Sequence, residues 1–227
     1  MRHLLARALT CILLSTGLLG TGAAPLRAGA WLTPEGHGFA SATTRLTWPQ
    51  DDALLGWQRP EGRYDTLYLE YGLARRLTLG ADLGRSISGG GKALAFLRFP
   101  LKAEGALRLS AELGLGRIEG AQALRPGLSL GLGHAAGWMN ADLLAEIRQG
   151  EGTDYKLDLT LGLNLPRKLR AILQVQSGVQ QGDPPFARLA PSVVVPLHKH
   201  LQVEIGGSWG VTGDASAGLL LGIWSEF

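Results

Sequence analysis

The residues that are most able to take part in chemistry or binding are charged side chains that recur at every second position of short segments. Arg108 and Glu112 flank Ser110 in this way, and Lys156 is followed by Asp158. If such positions share one enclosed face, their charges can form ion pairs or line a polar passage. We call the enclosed space that such a face would surround the lumen. The candidate lumen-lining residues are Arg45, Glu70, Asp82, Arg98, Arg108, Glu112, Asp142, Glu146, Arg148, Lys156, Asp158, Arg170, Arg188 and Glu204.

These candidates comprise seven basic and seven acidic residues. Equal numbers argue against a strong filter of one charge sign. Two interpretations stay open at this point. The charges either line a narrow pore or form a network of structural ion pairs that braces, and even plugs, the interior.

Motifs for cofactor, phosphate and metal binding are incomplete. The run Ser88–Lys92 is similar to a phosphate-binding loop, but Ser86 stands where the first glycine is needed and Ala93 replaces the required hydroxyl residue. His198 and His200 alternate as metal ligands can, yet no further ligand is evident, so a solvated turn is the preferred interpretation. We therefore expect no metal site and no cofactor.

Catalytic constellations are also incomplete. His134 has Asn140 nearby, but it lacks the serine two residues on that an outer-membrane phospholipase would use. Acidic residues such as Asp51, Asp52 and Asp183 fall in predicted loops, whereas most histidines fall at the opposite end. The chain is predicted not to be an enzyme. An outer-membrane hydrolase is kept as a third hypothesis, behind the two that are given at the end of this subsection.

The elements that position these side chains are predicted from a period of two. In the segment 155–165, leucines and Tyr155 alternate with polar residues, and successive side chains of a strand point to opposite faces. The pattern predicts an all-β, antiparallel up-and-down transmembrane β-barrel of about twelve strands, because tilted membrane strands need about 9–11 residues. The predicted strands are 37–48, 62–73, 77–86, 92–101, 106–117, 124–134, 138–148, 154–165, 169–179, 186–197, 201–210 and 215–227.

Connections of two lengths alternate between these strands. Tight turns at 74–76, 102–105 and 135–137 alternate with predicted longer loops such as 49–61, 118–123 and 180–185. That asymmetry is typical of outer-membrane barrels, in which the short turns face the periplasm. An even number of strands then places both ends of the barrel sequence on the periplasmic side.

The first thirty residues have the features of a secretory signal peptide. A basic start with Arg2 and Arg7 precedes an apolar stretch, and small residues at 28–30 predict cleavage before Trp31, although a cut after Ala23 or Ala24 and an uncleaved anchor are alternatives. Residues 31–227 then form the barrel. Without the first thirty residues the chain has nineteen basic and nineteen acidic residues and no cysteine. Nucleic acid is therefore not an expected partner.

Lipid contact is predicted from the nearly pure aliphatic character of one face of each strand. Aromatic residues near the strand ends favour interfacial girdles, with the core of a soluble sandwich as the alternative. The girdle candidates are Trp48, Trp57, Tyr64, Tyr71, Trp138, Tyr155, Phe186, Trp209 and Phe227.

Phe227 closes an amphipathic strand and is similar to the signal read by the outer-membrane barrel assembly machinery, although Ser225 stands where an aromatic residue is often found.

Two further stretches, 29–39 and 71–80, resemble a group of proteobacterial outer-membrane barrels assigned to transport in the phenol meta-degradation pathway. The resemblance implies an outer-membrane barrel involved in the passage of small molecules, with no substrate-binding motif to name the cargo.

The leading hypothesis from sequence is a narrow, weakly selective channel or uptake port for small polar or amphipathic molecules, in the outer membrane of a Gram-negative bacterium. The expected partners are membrane lipid, the barrel assembly machinery and a small-molecule cargo. The alternative is a closed structural or interaction barrel without transport.

Overall fold

Twelve antiparallel strands form a closed barrel in which each strand pairs with its two neighbours in the sequence and β1 pairs with β12. The computed structural model describes residues 29–55 and 59–227, without the side chains of Leu54 and Leu55. The strands are β1 (Gly38–Pro49), β2 (Gly62–Ala74), β3 (Leu77–Ser86), β4 (Gly91–Lys102), β5 (Leu107–Ile118), β6 (Ala121–His134), β7 (Gly137–Arg148), β8 (Gly152–Asn164), β9 (Arg170–Val179), β10 (Phe186–His198), β11 (Leu201–Thr212) and β12 (Ser216–Glu226).

The predicted fold and strand number are confirmed. Closure occurs where the N–H of Gly38 donates to the carbonyl of Phe227 and the N–H of Phe227 donates to the carbonyl of Gly38, at 2.6 and 3.1 Å. Such closure leaves no unpaired sheet edge, which is a requirement for strands surrounded by hydrocarbon. The predicted signal peptide lies outside the described residues, except for its last two residues.

One end of the barrel carries the two-residue turns 75–76, 135–136 and 199–200, and we call it the short-turn end. The other end carries the segment 50–61, and we call it the long-loop end. A short helix, α1 (Gln50–Leu55), begins that segment, and the Gln50 side-chain amide donates to the carbonyl of Gly210 at 2.7 Å. No helix in the described ranges is long and apolar enough to cross a membrane.

The predicted length difference between the two ends is smaller in the structure. The connection expected at 118–123 is a two-residue turn, and β6 therefore begins at Ala121. Glu119 and Gly120 both have positive φ, 49° and 86°, as tight hairpin turns of this kind require. The prediction failed because the residues on either side of this turn continue the strand pairing, which loop composition does not reveal.

The outward face of the barrel is a band of exposed aliphatic side chains. Leu113, Leu128, Leu143 and Leu159 are each between 44 and 49% exposed, although they lie in the middle of their strands. A continuous apolar surface of this kind is incompatible with water and is typical of a barrel embedded in lipid.

The predicted aromatic girdle is only partly correct. Tyr71, Tyr155, Trp209 and Phe227 are exposed, and Trp57 lies outside the described residues. Trp48 and Trp138 are instead buried. Tyr64 and Phe186 lie on the inward face, where a side chain at Gly84 or Gly178 would contact them. Proximity to a strand end therefore did not distinguish a lipid-facing ring from one that fills the interior.

Candidate functional site in the barrel interior

A continuous chain of ion pairs crosses the inner face of β2 to β6. The guanidinium of Arg98 donates to the carboxylates of Glu70 and Glu112, the latter at 2.8 Å. Arg125 donates to Glu112 at 2.9 Å and to Asp82 at 2.5 Å, and Asp82 also accepts from the ammonium group of Lys92 at 2.7 Å. Three cations and three carboxylates alternate along this chain, so its net charge is zero. We call these six residues the charged wall.

Aromatic rings support the charged wall from within the same strands. Phe96 is 1% exposed, and the guanidinium groups of Arg98 and Arg125 lie 5.1 and 5.6 Å from its ring centroid. Its ring also stacks on Tyr68, with a centroid distance of 5.6 Å. Gly80 makes this packing possible, since a Cβ there would collide with the Phe96 ring. The inward Phe96, which interrupts the polar pattern of β4, therefore forms the base on which both arginines lie.

The opposite side of the interior, formed by β8 to β11 and β1, has no comparable chain of linked ion pairs among the described residues, and hydrogen-bonded neutral polar groups lie between its charges. The Gln174 amide donates to the Thr160 hydroxyl at 3.1 Å, and the Gln176 amide donates to the Gln174 carbonyl at 3.0 Å. Glu204 accepts from the Ser192 hydroxyl at 2.7 Å. We call this surface the sparse wall and include Arg45 of β1 and Asp158 of β8 in it.

Two charges of the sparse wall lack direct partners. Within the described ranges, neither Arg45 nor Asp158 forms an ion pair or a side-chain hydrogen bond. Asp158 stands directly opposite Asp142 in the register of β7 and β8, so two like charges are adjacent. Like charges in that position repel each other. Asp158 lines the interior cavity, so its carboxylate can interact with water or a solute there without first breaking an ion pair.

The segment 29–34 enters the interior from the short-turn end and lies against the inner surface. The Ser110 hydroxyl donates to the carbonyl of Gly29 at 2.6 Å, and the Thr33 hydroxyl donates to Glu70 at 2.7 Å. The Thr33 N–H donates to the Thr78 hydroxyl at 3.0 Å. A side chain at Gly131 would collide with the ring of Trp31. The segment therefore narrows the interior and is anchored mainly to the strands that carry the charged wall.

An apolar cluster also fills the interior near the short-turn end. Trp138, Ile172 and Val194 are buried together, and Trp31 and Trp224 pack against them. These residues come from β7, β9, β10 and β12 together with the segment 29–34. Nonpolar side chains therefore occupy part of the barrel interior at this end.

A cavity of about 420 Å³ remains between the two walls. Its lining includes Asp82, Arg98 and Arg125 of the charged wall and Thr160 and Gln174 of the sparse wall. Volumes of about 300–1,000 Å³ are typical of small-molecule sites. The space is therefore large enough for a small solute.

The structure places all fourteen predicted lumen-lining residues at buried or half-buried positions. Glu70, Asp82, Arg98 and Glu112 come together in the charged wall, and Arg45, Asp158 and Glu204 lie in the sparse wall. Lys156, Arg170 and Arg188 lie on strands of the sparse wall as well, and the remaining four are Arg108, Asp142, Glu146 and Arg148.

Several of these residues have separate partners. Lys156 pairs with Glu146 at 2.7 Å, and Arg188 pairs with Asp214 at 2.8 Å. Arg170 donates to Gln202 at 2.7 Å. These contacts are local and do not join the chain of ion pairs in the charged wall.

Arg148 contacts Glu151 at 2.8 Å and Asp154 at 3.1 Å near the long-loop end. The Asn140 amide donates to Asp142 at 2.5 Å. Arg108 is half-buried and has no ion pair in the part of the chain that the structure describes.

Lys92 and Arg125 belong to the charged wall but are absent from the predicted set. Arg125 could have been identified from its alternation with the outward Leu124 and Leu128. However, the predicted start of β6 at residue 124 left it at a strand end, and Pro126 beside it obscured the period. Lys92 was obscured in the same way, because Leu94 and Phe96 follow it on the same face.

The other motifs form no site among the described residues. No three histidine, cysteine, aspartate or glutamate side chains there are arranged to bind a metal ion. The His134 ring nitrogen accepts a hydrogen bond from the Ala136 N–H at 3.2 Å, as a turn contact. Ser88 shares a hydrogen bond with Ser86 in the turn between β3 and β4.

Comparisons with known proteins identify the architecture. The KdgM porin in complex with disordered oligogalacturonate superposes with a TM-score of 0.67 at 8% identity, over 83% of this chain and 99% of that one. The NanC porin gives a TM-score of 0.64 at 8% identity, over 81% and 98% of the two chains. An outer-membrane channel from Pseudomonas putida F1 gives 0.52 at 11% identity, over 92% and 100%.

The chain has the fold of these porin-like barrels. No protein-family model matches its sequence, and no curated protein matches it either. At these low identities the likeness establishes architecture, and the residues of the interior must carry any statement about function.

Proposed function

We propose that the protein is a narrow, weakly selective channel or uptake port of the Gram-negative outer membrane, for small polar or amphipathic molecules. The observation that carries this proposal is a closed barrel with a leucine-rich outward face around a polar cavity of about 420 Å³. A barrel of about eight strands is filled by its own side chains, whereas twelve strands enclose additional space.

The charges of the interior favour a cargo without high charge. The charged wall is neutral overall, and on the sparse wall Arg45 interacts electrostatically with the carboxylates of Asp158 and Glu204 without a direct contact. A strongly acidic polymer would gain little from such a lining, although the KdgM porin is described with oligogalacturonate. Small aromatic molecules of the phenol type are a second cargo class, supported by the sequence resemblance and by the inward Phe39, Trp138 and Trp224.

We propose that the chain reaches this membrane through its N-terminal signal and the barrel assembly machinery. Phe227 is 63% exposed beside the closing strand pair, so its ring is accessible to another protein. The short-turn end then faces the periplasm, and the long-loop end faces the exterior.

Single-channel recording in planar bilayers tests the proposal. Purified protein should give steady conductance steps whose size scales with salt concentration. Liposome swelling with neutral sugars of increasing size then measures the width of the path, and swelling in phenol solutions tests the aromatic cargo class. The absence of both conductance steps and liposome swelling would contradict a channel.

A closed structural barrel is the second candidate, and the segment 29–34 with its apolar neighbours favours it. The double variant Trp31→Ala and Thr33→Val removes the ring packed at Gly131 and the hydrogen bond to Glu70. If the segment only narrows a working path, the variant should conduct more than the native protein. If both proteins are silent, the barrel is closed by more than this segment.

The matched control for this variant is Glu35→Gln, because Glu35 is exposed and lies just outside the interior. Its conductance should equal that of the native protein. A lipid-hydrolysis assay on the same preparation tests the third hypothesis, an outer-membrane hydrolase, for which we expect no turnover.

A further inference from the structure

The outward faces of the strands carry very few charges, and these are confined to one part of the barrel. These charges are Arg63 and Asp65 of β2, Arg85 of β3 and Arg117 of β5. Each lies on the same face as the outward leucines of its strand and within four residues of the long-loop end. In a membrane, that level corresponds to the lipid headgroups, where a charge is tolerated and can bind a charged lipid.

Two of the three outward arginines lack a protein partner. Arg63 donates to Asp65 at 2.9 Å, and Asp65 also accepts from the Thr44 hydroxyl at 2.7 Å. Within the described ranges, Arg85 and Arg117 have no ion pair and no side-chain hydrogen bond, and both are exposed. The outward carboxylate of this region is therefore already occupied, and two cations are free to attract an anion.

Arg117 stands at the head of an outward groove between β5, β6 and β7, with a volume of about 580 Å³. Gln122 is opposite Arg117 in the strand register, and the Gln149 N–H donates to the Gln122 carbonyl at 2.9 Å. The polar end of the groove therefore has one guanidinium and two side-chain amides, all of which can donate hydrogen bonds.

The rest of the groove is aliphatic. Leu115, Leu124 and Ile147 line it on the side toward the middle of the barrel and are 62, 37 and 41% exposed. The groove thus has a cationic, hydrogen-bonding end at headgroup level and an apolar floor at acyl-chain level. This change from a polar to an apolar surface matches an anionic lipid that is oriented along the membrane normal.

Nearby anions do not compete for the polar end. Glu151 is paired with Arg148 at 2.8 Å, and the carboxylate of Glu119 lies against Gly90 in the turn between β3 and β4. Guanidinium groups bind phosphate oxygens with paired hydrogen bonds. A zwitterionic headgroup binds arginine more weakly, because the cation of the headgroup repels the guanidinium group.

We infer that this groove is a binding site for a phosphorylated lipid of the outer leaflet, with its phosphate on Arg117 and its acyl chain along Leu115, Leu124 and Ile147. Arg85 adds a second attraction to the same headgroup layer. The inference requires that the barrel lies in a membrane with its long-loop end in the outer leaflet, and it does not require transport.

Native mass spectrometry of the full barrel in dodecylmaltoside micelles tests the inference. The probes are dioleoylphosphatidic acid, dioleoylphosphatidylcholine and inorganic phosphate. The native protein should retain phosphatidic acid and should retain phosphatidylcholine more weakly. Since a basic residue near an anionic lipid surface contributes about 1 kcal/mol, Arg117→Gln should weaken retention of phosphatidic acid about fivefold.

Arg117→Lys should restore much of the retention, because it keeps the cation. Arg75→Gln, the same replacement at an exposed site of the short-turn end, is the matched control and should bind like the native protein. Heat-dependent gel migration verifies that each variant is folded. The inference is overturned if Arg117→Gln retains phosphatidic acid as well as the native protein, if phosphatidylcholine is retained equally, or if inorganic phosphate alone displaces the lipid.

Discussion

The two walls of the interior differ in how their inward polar and charged side chains are paired. The charged wall on β2 to β6 brings three cations and three carboxylates into direct contact, and most of their atoms are buried. The sparse wall on β8 to β11 and β1 uses amides and hydroxyl groups and leaves Arg45 and Asp158 without a direct partner.

The difference indicates a division of roles within one barrel. Buried charges that satisfy one another fix the positions of the strands, since a charge that loses its partner there is costly. Neutral polar groups and unpaired charges can exchange water for a solute at low cost. We therefore propose that the charged wall mainly braces the barrel and that the sparse wall supplies the exchangeable contacts to a cargo.

The largest expected effect is on stability and comes from the charged wall. Arg98→Met leaves the carboxylates of Glu70 and Glu112 without their shared cation and should lower the free energy of unfolding by about 3–5 kcal/mol. Gln174→Met on the sparse wall removes hydrogen bonds between neutral groups and should cost about 1 kcal/mol. Urea unfolding in lipid vesicles measures both, and equal losses would contradict the division between the walls.

An intermediate effect is expected from the aromatic rings that carry guanidinium groups. Phe96 lies under two arginines and stacks on Tyr68, whereas among the described residues Phe186 lies under one guanidinium, that of Arg188, at 5.1 Å. Phe96→Leu should therefore cost about 1.5 kcal/mol and Phe186→Leu about 0.5 kcal/mol. The same unfolding assay compares the two, and a greater loss for Phe186→Leu would show that Phe96 does not support the charged wall.

The smallest expected effect concerns ion selectivity and the sparse wall. Thr160→Glu adds a carboxylate beside the cavity and should raise the permeability of cations relative to anions about fivefold, which corresponds to about 1 kcal/mol. Thr160→Val removes the hydrogen bond from Gln174 without adding charge, so it should leave the ratio unchanged. Reversal potentials in a salt gradient measure the ratio. An unchanged ratio for Thr160→Glu would mean that ions do not pass this wall.

The fold could be predicted from the sequence because each strand repeats the same alternation. The leucines of 155–165 specify one outward face. Leu144 is an apolar residue in the otherwise polar series of β7, and it lies on the inward face that its position in the alternation predicts. Strand ends were less predictable where a tight turn continued the pairing, as at Glu119 and Gly120.

The site was less predictable than the fold. Alternation shows that Arg98 and Glu112 share a face, but it does not show that they touch, because contact depends on the register between neighbouring strands. The burial of Trp31 and Thr33 in the interior could not be predicted either, since the segment 29–34 has no periodic pattern. Its position depends on Gly131 and on hydroxyl groups contributed by distant strands.

The most direct test of the account compares two adjacent residues of β8, because it concerns which face meets lipid. Leu159 is 44% exposed on the outward face, and Thr160 lines the cavity. Leu159→Arg should impair folding into lipid vesicles, since a cation on the lipid face at mid-bilayer costs about 2–4 kcal/mol, whereas Thr160→Arg should fold nearly normally. Heat-dependent gel migration measures the folded fraction of each. Equal folding of the two variants would contradict the assigned faces.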